Sequence, residues 1–183
     1  MKYIILILIF TSVFCSCSNP EARKPIVRKT SSFMSESIER NKLLNKAENA
    51  ILMQKMEADS LHNYMSSEYG FWYYYDVEVS SEDYTAKSGD VVFYSHEIKS
   101  LDNTILYSKE ALGTKSYIVD KEDLIAGLQD GFKLMNEGET VTFLFPSHKA
   151  YGYTGNDIIK PNQPLIYTVQ LLKINNLSEN ENN

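Results

Sequence analysis

From residue 70 onward the sequence is cut into short runs of β-branched and aromatic residues, and this segmentation constrains the fold more than any other feature. Strand-like runs fall at 71–79, 90–98, 104–107, 115–119, 139–145 and 164–174, with Ser88-Gly89, Asp102-Asn103 and Glu137-Gly138 among the turn signals between them. Only 121–135 departs from this pattern, where Leu124, Ile125, Leu128, Phe132 and Met135 share one helical face. Strands this close in sequence, without a helix between each pair, join antiparallel neighbours. The expected fold is therefore α+β, with an antiparallel sheet of five to six strands wrapped around one short helix.

The first 17 residues read separately. Lys2 precedes an apolar run from Tyr3 to Phe10, and small residues surround Cys15 and Cys17. A positive start, a short apolar core and small residues at its end make an export signal, too short for a comfortable membrane span. Cleavage before Cys17 leaves Ser16 at the last leader position, whereas cleavage before Cys15 leaves bulky Phe14 there. The segment resembles a bacterial lipoprotein signal, and that resemblance implies a lipid on Cys17 and a membrane attachment in the cell envelope, facing the periplasm. An ordinary signal peptide, with both cysteines discarded, is the alternative. Inner and outer membrane remain equally open.

Residues 18–34 carry Pro20, Pro25 and the cations Arg23, Lys24, Arg28 and Lys29 without a sustained period, as expected of a flexible tether. Residues 35–68 lack proline and glycine, and Ser35 with Glu36 and Glu39 is a helix start. Leu44, Ala47, Ile51, Gln54, Ala58, Leu61 and Met65 recur at steps of three and four, giving one long helix with a narrow seam. That seam permits a homodimer through the 35–68 helix, packing on the chain's own domain, or a spacer role. The domain proper is expected at 70–175, with a polar disordered tail at 176–183.

The net charge of −6 gives no electrostatic footprint for nucleic acid, and losing Lys2 with the leader takes it to −7. Both cysteines lie in the leader, so the folded domain has no disulfide and no thiolate metal site. His62, His96 and His148 are far apart and form no metal-ligand spacing or hydrolytic triad. No cofactor is expected.

The stretch Ala150-Tyr151-Gly152-Tyr153-Thr154-Gly155, then Ile158-Ile159 and a strand through Tyr167, places two glycines and aromatic rims before the last strand. With Leu124-Ile125-Ala126-Gly127-Leu128, Gly131, Gly138-Glu139 and Gly89-Asp90-Val91-Val92, it resembles, in order, the FKBP-type peptidyl-prolyl cis-trans isomerases over about 89–174. The layout also resembles the gliding-motility-associated FKBP-type lipoproteins of Bacteroidetes.

The resemblance implies isomerisation of proline-containing polypeptides, assisting the folding of envelope proteins. Carried over by position, it makes Ile125 a backbone donor, Tyr151 a hydroxyl donor and Tyr167 an aromatic wall of the catalytic pocket. Leu128 takes the floor, where tryptophan is usual, and Leu124, Ala150 and Ile159 form apolar walls. His96 falls where the family has tyrosine, and Leu106-Tyr107 where it has phenylalanine-aspartate, so a His96–Tyr107 pair is expected in place of the usual hydrogen bond. The departures leave a wider, more polar pocket and make macrolide binding unlike the family's. The other reading is a non-catalytic FKBP-like chaperone or assembly module of an envelope complex, gliding motility included.

Overall fold

A computed structural model describes residues 30–79 and 84–176. The leader, Cys17, most of the 18–34 tether and all but the first residue of the tail lie outside the described residues. The chain divides into two compact units, Met1–Ile38 and Glu39–Asn183, and the second holds everything discussed below apart from the first residues of the long helix.

The long helix, α1, runs Thr30–Ala58. It begins inside the expected tether and stops well short of residue 68. Asp59 ends it: its carboxylate accepts hydrogen bonds from the Leu61 N–H at 3.1 Å and the Tyr64 hydroxyl at 2.8 Å, and meets His62 Nδ1 at 2.8 Å. An aspartate side chain that captures the backbone two residues on offers an alternative to the next helical turn. His62 then stacks on Tyr74 at 4.0 Å between ring centroids. The helix ends where the chain turns onto the sheet.

The seam expected on α1 is rotated in the structure. Ile51 is 52% exposed, and Ala47, Gln54 and Ala58 are exposed as well. Within the second unit the inward face instead carries Glu48 and Leu52, both buried, flanked by half-buried Leu44, Asn45, Lys55 and Met56. Hydrophobicity marked a stripe about one residue away from the face that docks, because that face includes a carboxylate.

Seven strands form one antiparallel sheet: β1 Met65–Ser66, β2 Trp72–Val77, β3 Val91–Ser100, β4 Ile105–Tyr107, β5 Lys115–Ile118, β6 Thr140–Phe145 and β7 Leu165–Asn175. Their order is β1-β2-β6-β7-β3-β4, with β5 also paired to β3. β3 pairs along its whole length with β7, while its other edge is shared between β5 at Val91–Tyr94 and β4 at Ile98 and Lys99. The β3–β7 register shifts between Phe93 and Tyr94, with Leu172 the extra residue of a bulge on β7.

Two short helices interrupt the strands: α2, Lys109–Leu112, and α3, Ala126–Phe132. α2 has no counterpart in the expected pattern and is capped by Ser108, whose hydroxyl accepts from the Ala111 N–H at 3.3 Å. α3 is shorter than the 121–135 stretch. Leu134 and Met135 bond three residues back, to Gly131 and Phe132, so the helix tightens and stops while Met135 stays buried. Gly127 lets α3 reach the sheet, since a Cβ there would lie 2.7 Å from the Phe145 ring.

One core lies between α3 and the concave face of the sheet. It takes Val92, Tyr94 and Ile98 from β3, Phe143 and Phe145 from β6, Tyr167 and Val169 from β7, and Leu128 and Phe132 from α3. The intervening residues Leu144 and Ile166 point to the opposite face by strand alternation, yet are also buried, because the end of α1 passes over them. Leu52 is fully buried on that side, a burial worth about 1.5–3 kcal/mol. The second half of β6, Phe143–Phe145, is therefore apolar on both faces, and Thr142, its one buried polar residue, is bonded to Asp76 and Thr168. Among the described residues no helix is long and apolar enough to cross a membrane.

Candidate active site

Residues of β3, the start of α3 and the 146–164 connection pack on the same core. Tyr167 and Leu128 are core residues, as is Ile159, and Leu106, Tyr107, Leu124, Ile125, Ala150 and Tyr151 pack against the same cluster while keeping part of their surface exposed. His96 joins them by stacking on Tyr167, with ring centroids 5.8 Å apart and planes 3° from parallel. Each pocket residue singled out in the sequence thus lies in or against the one core cluster, His96 through its stacking on Tyr167.

The expected His96–Tyr107 pair is not formed. His96 is 8% exposed and its Nδ1 has no hydrogen-bond partner among the described residues. Its ring is flanked by Tyr94 at 5.3 Å and Tyr167, so its neighbours are aromatic faces instead of an acceptor. Burial, with a smaller contribution from the Lys115 charge, pulls its imidazole down to about 4, which keeps it neutral at pH 7.

Tyr94 belongs to this site and escaped the sequence reading. It is 3% exposed, packs on Phe132 at 4.7 Å, and lies two residues from His96 on the same face of β3. Strand alternation was the available signal: a residue two positions from a pocket residue faces the pocket too. Burial and the neighbouring Tyr151 hydroxyl push Tyr94 up to about 12. Burial, then Tyr151, Tyr94 and Tyr107, raise Tyr167 as well. The pocket at pH 7 is therefore lined by neutral phenols and a neutral imidazole.

Ile125 is the N-cap of α3, with φ −58° and ψ 137°. Its carbonyl accepts from Leu128 and Gln129, whereas its own N–H makes no hydrogen bond to the described residues, as expected of the first donors of a helix. Tyr151 is fixed by its surroundings. The Ala150 and Gly152 N–H groups both donate to the Ser147 carbonyl, at 3.0 and 2.8 Å, and the Gly155 N–H donates to the Tyr151 carbonyl at 3.2 Å. Asn156 closes the far side, its Oδ1 accepting from Ile158 and Ile159 at 3.0 and 2.7 Å. Gly155 has φ +64°, and a Cβ there would lie 2.4 Å from the Ile159 carbonyl oxygen, so only glycine fits. The loop with its two glycines is a hydrogen-bonded bend.

Beside this bend a groove of about 390 Å³ opens between α1 and the loop. Asn41, Leu44 and Asn45 line one side, with Tyr151, Tyr153 and Asn162 on the other. Tyr153 is 85% exposed at its edge. Among the described residues no group of three or more His, Cys, Asp or Glu side chains is arranged to hold a metal ion. What the site offers is a buried apolar cluster with the partly exposed Ile125 and Tyr151 packed at its margin, the Ile125 N–H unbonded to the described residues, and Ala150 and Tyr151 reaching the groove beside α1.

Residues 82–172 match the family model of the FKBP-type peptidyl-prolyl cis-trans isomerases. A probable FKBP-type isomerase, FkpA, from Neisseria meningitidis is 32% identical over 101 residues, which is 55% of this chain and 37% of that protein. Human FKBP9 is 31% identical over 91 residues, 49% of this chain and 16% of its own length. The chain thus spans little more than a third of the first of these relatives. Among solved structures, FkpA from Escherichia coli matches with a TM-score of 0.59 at 20% identity, covering 96% of this chain and 83% of that one. A Pseudomonas syringae peptidyl-prolyl isomerase matches with a TM-score of 0.60 at 19% identity, covering 74% and 96%. At these identities the structural matches speak for the fold alone.

Proposed function

The chain carries a domain of the FKBP-type peptidyl-prolyl cis-trans isomerase family, and from that premise we propose that it interconverts the cis and trans forms of X–Pro bonds in polypeptide substrates. The observation that carries this reading is the buried apolar cluster of Leu128, Tyr94, Tyr167 and Ile159, with the partly exposed Ile125 and Tyr151 packed at its margin. Rotation about the amide loses its resonance, against a barrier of about 18–20 kcal/mol. The twisted amide is less dipolar than the planar one, so a water-poor pocket disfavours the planar ground state more. Fixed donors on the flanking carbonyls hold the rotating geometry, and no proton changes hands. The phenols and imidazole fit this role because all are neutral at pH 7.

The test is the cis-to-trans conversion of proline tetrapeptides by the purified protein. A clear acceleration is expected, with Tyr151→Phe lowering it severalfold; a rate equal to buffer overturns the proposal. The export signal supports placing this activity in a bacterial envelope, lipid-anchored through Cys17 and facing the periplasm, where polypeptides crossing the membrane would be its substrates. Metabolic labelling with palmitate, abolished by Cys17→Ser, tests the anchor. The exposed Leu43 and Ile51 on α1 support a homodimer through that helix, which sedimentation of the wild type and of an Ile51→Glu variant distinguishes from a monomer.

A second reading, a binding module for unfolded chains or an assembly partner, is favoured by the groove beside Tyr151. Suppression of aggregation that survives Tyr151→Phe and Tyr167→Ala would support it over the isomerase.

A further inference from the structure

Glu48 is a carboxylate on the inward face of α1, 3% exposed, and 99 residues away in sequence from the group it binds. Its Oε2 accepts from the Ser147 N–H at 2.8 Å and its Oε1 from the Ser147 hydroxyl at 2.6 Å. Ser147 is itself 2% exposed and opens the short 3-10 turn Ser147–Lys149, whose first N–H has no partner within the turn. The carboxylate thus acts as a cap supplied from a different element.

Anchoring the helix does not require this pair. Burying a carboxylate is costly unless it is fully bonded, and Leu52, one turn further along, already docks the same face at no such cost. What the pair does uniquely is hold Ser147, whose carbonyl in turn receives the Ala150 and Gly152 N–H groups on either side of Tyr151. The chain of bonds runs from the helix to the backbone that aims the Tyr151 hydroxyl.

We propose that Glu48 is a positioning residue for the reaction, fixing the Tyr151 loop through Ser147 and so making the helical arm part of the catalytic apparatus. The inference rests on the isomerase reading. Glutamine at 48 preserves both contacts, its Oε1 accepting from the Ser147 N–H and its Nε2 donating to the hydroxyl oxygen, whereas alanine leaves both Ser147 donors without a partner.

The experiment is a double-mutant cycle on the full chain, with kcat and KM measured on proline tetrapeptides. Glu48→Ala is expected to lower kcat/KM severalfold, by no more than Tyr151→Phe does and mostly in kcat, because a displaced donor loses its contact in the transition state. In the Tyr151→Phe background the same change is expected to cost less than about twofold, since the group it positions is already gone. Glu48→Gln restores the rate to within about twofold of wild type. Equal losses in both backgrounds, or no loss with Glu48→Ala, overturn the inference. Where Glu48→Ala fails to fold, Ser147→Ala removes only the hydroxyl bond and is read in the same cycle. If the wild type shows no isomerase activity, the functional reading fails. Positioning is then read by amide exchange, which in Glu48→Ala accelerates at Ala150 and Gly152 but not at Gly138, bonded to Leu171; unchanged exchange at all three overturns it.

Discussion

Acid should loosen this protein through His96, and the size of the effect follows from its surroundings. The ring lies between Tyr94 and Tyr167, with an unpartnered Nδ1 and the Lys115 charge nearby, so the folded protein resists protonating it until about pH 4. The unfolded chain takes up that proton near 6.5. Between those values the unfolded state binds more protons, so stability falls as pH drops through the window and levels off below it. Going from pH 7 to pH 5, this one group removes about 2 kcal/mol of stability. His96→Phe keeps a ring against Tyr167 and deletes the orphaned nitrogen, so at pH 7 it is expected to be neutral or slightly stabilising. Urea unfolding of both proteins at pH 7 and pH 5 isolates the histidine, because His148, which burial also pulls down, contributes equally to each. The wild type should lose about 2 kcal/mol more than His96→Phe between the two pH values. Equal losses would refute the buried, neutral imidazole.

Three further outcomes test the packing. Gly155→Ala, which needs φ +64° and drives a Cβ into the Ile159 carbonyl, should distort the loop and abolish most isomerase activity while far-UV circular dichroism stays near wild type. Leu52→Ala empties a fully buried site beneath α1 and should cost about 2–5 kcal/mol in urea unfolding. Gly127→Ala forces the Phe145 ring away from α3, and because that ring is packed against Phe71, Phe143 and Tyr167 the expected cost is about 1–3 kcal/mol by thermal or urea unfolding.

Apart from β1, which falls inside the expected 35–68 helix, the strands were legible because each has period two or a β-branched, aromatic run ended by a turn residue: β6 and β7 fall within a residue of their expected bounds. Of the helices, α1 and α3 were legible only in existence and α2 not at all. Their ends depended on side chains acting on backbone groups, as with Asp59 capturing Leu61, and periodicity carries no information about such bonds. Pocket residues near one another in sequence, such as Leu124, Ile125 and Leu128, or Ala150 and Tyr151, could be named from motifs. Tyr94 needed only the alternation of β3 to be added.

By itself, the sequence determined the α+β architecture, the order of its strands along the chain and the family of its domain. Those are local properties, written in periodicity, turn residues and motifs. Only the tertiary structure decided which face of α1 docks, that His96 stacks on Tyr167 with no bond to Tyr107, and that Glu48 reaches Ser147 across 99 residues. A buried carboxylate is polar to any hydrophobicity rule. Its partner becomes visible only once the sheet has closed and brought the two segments together.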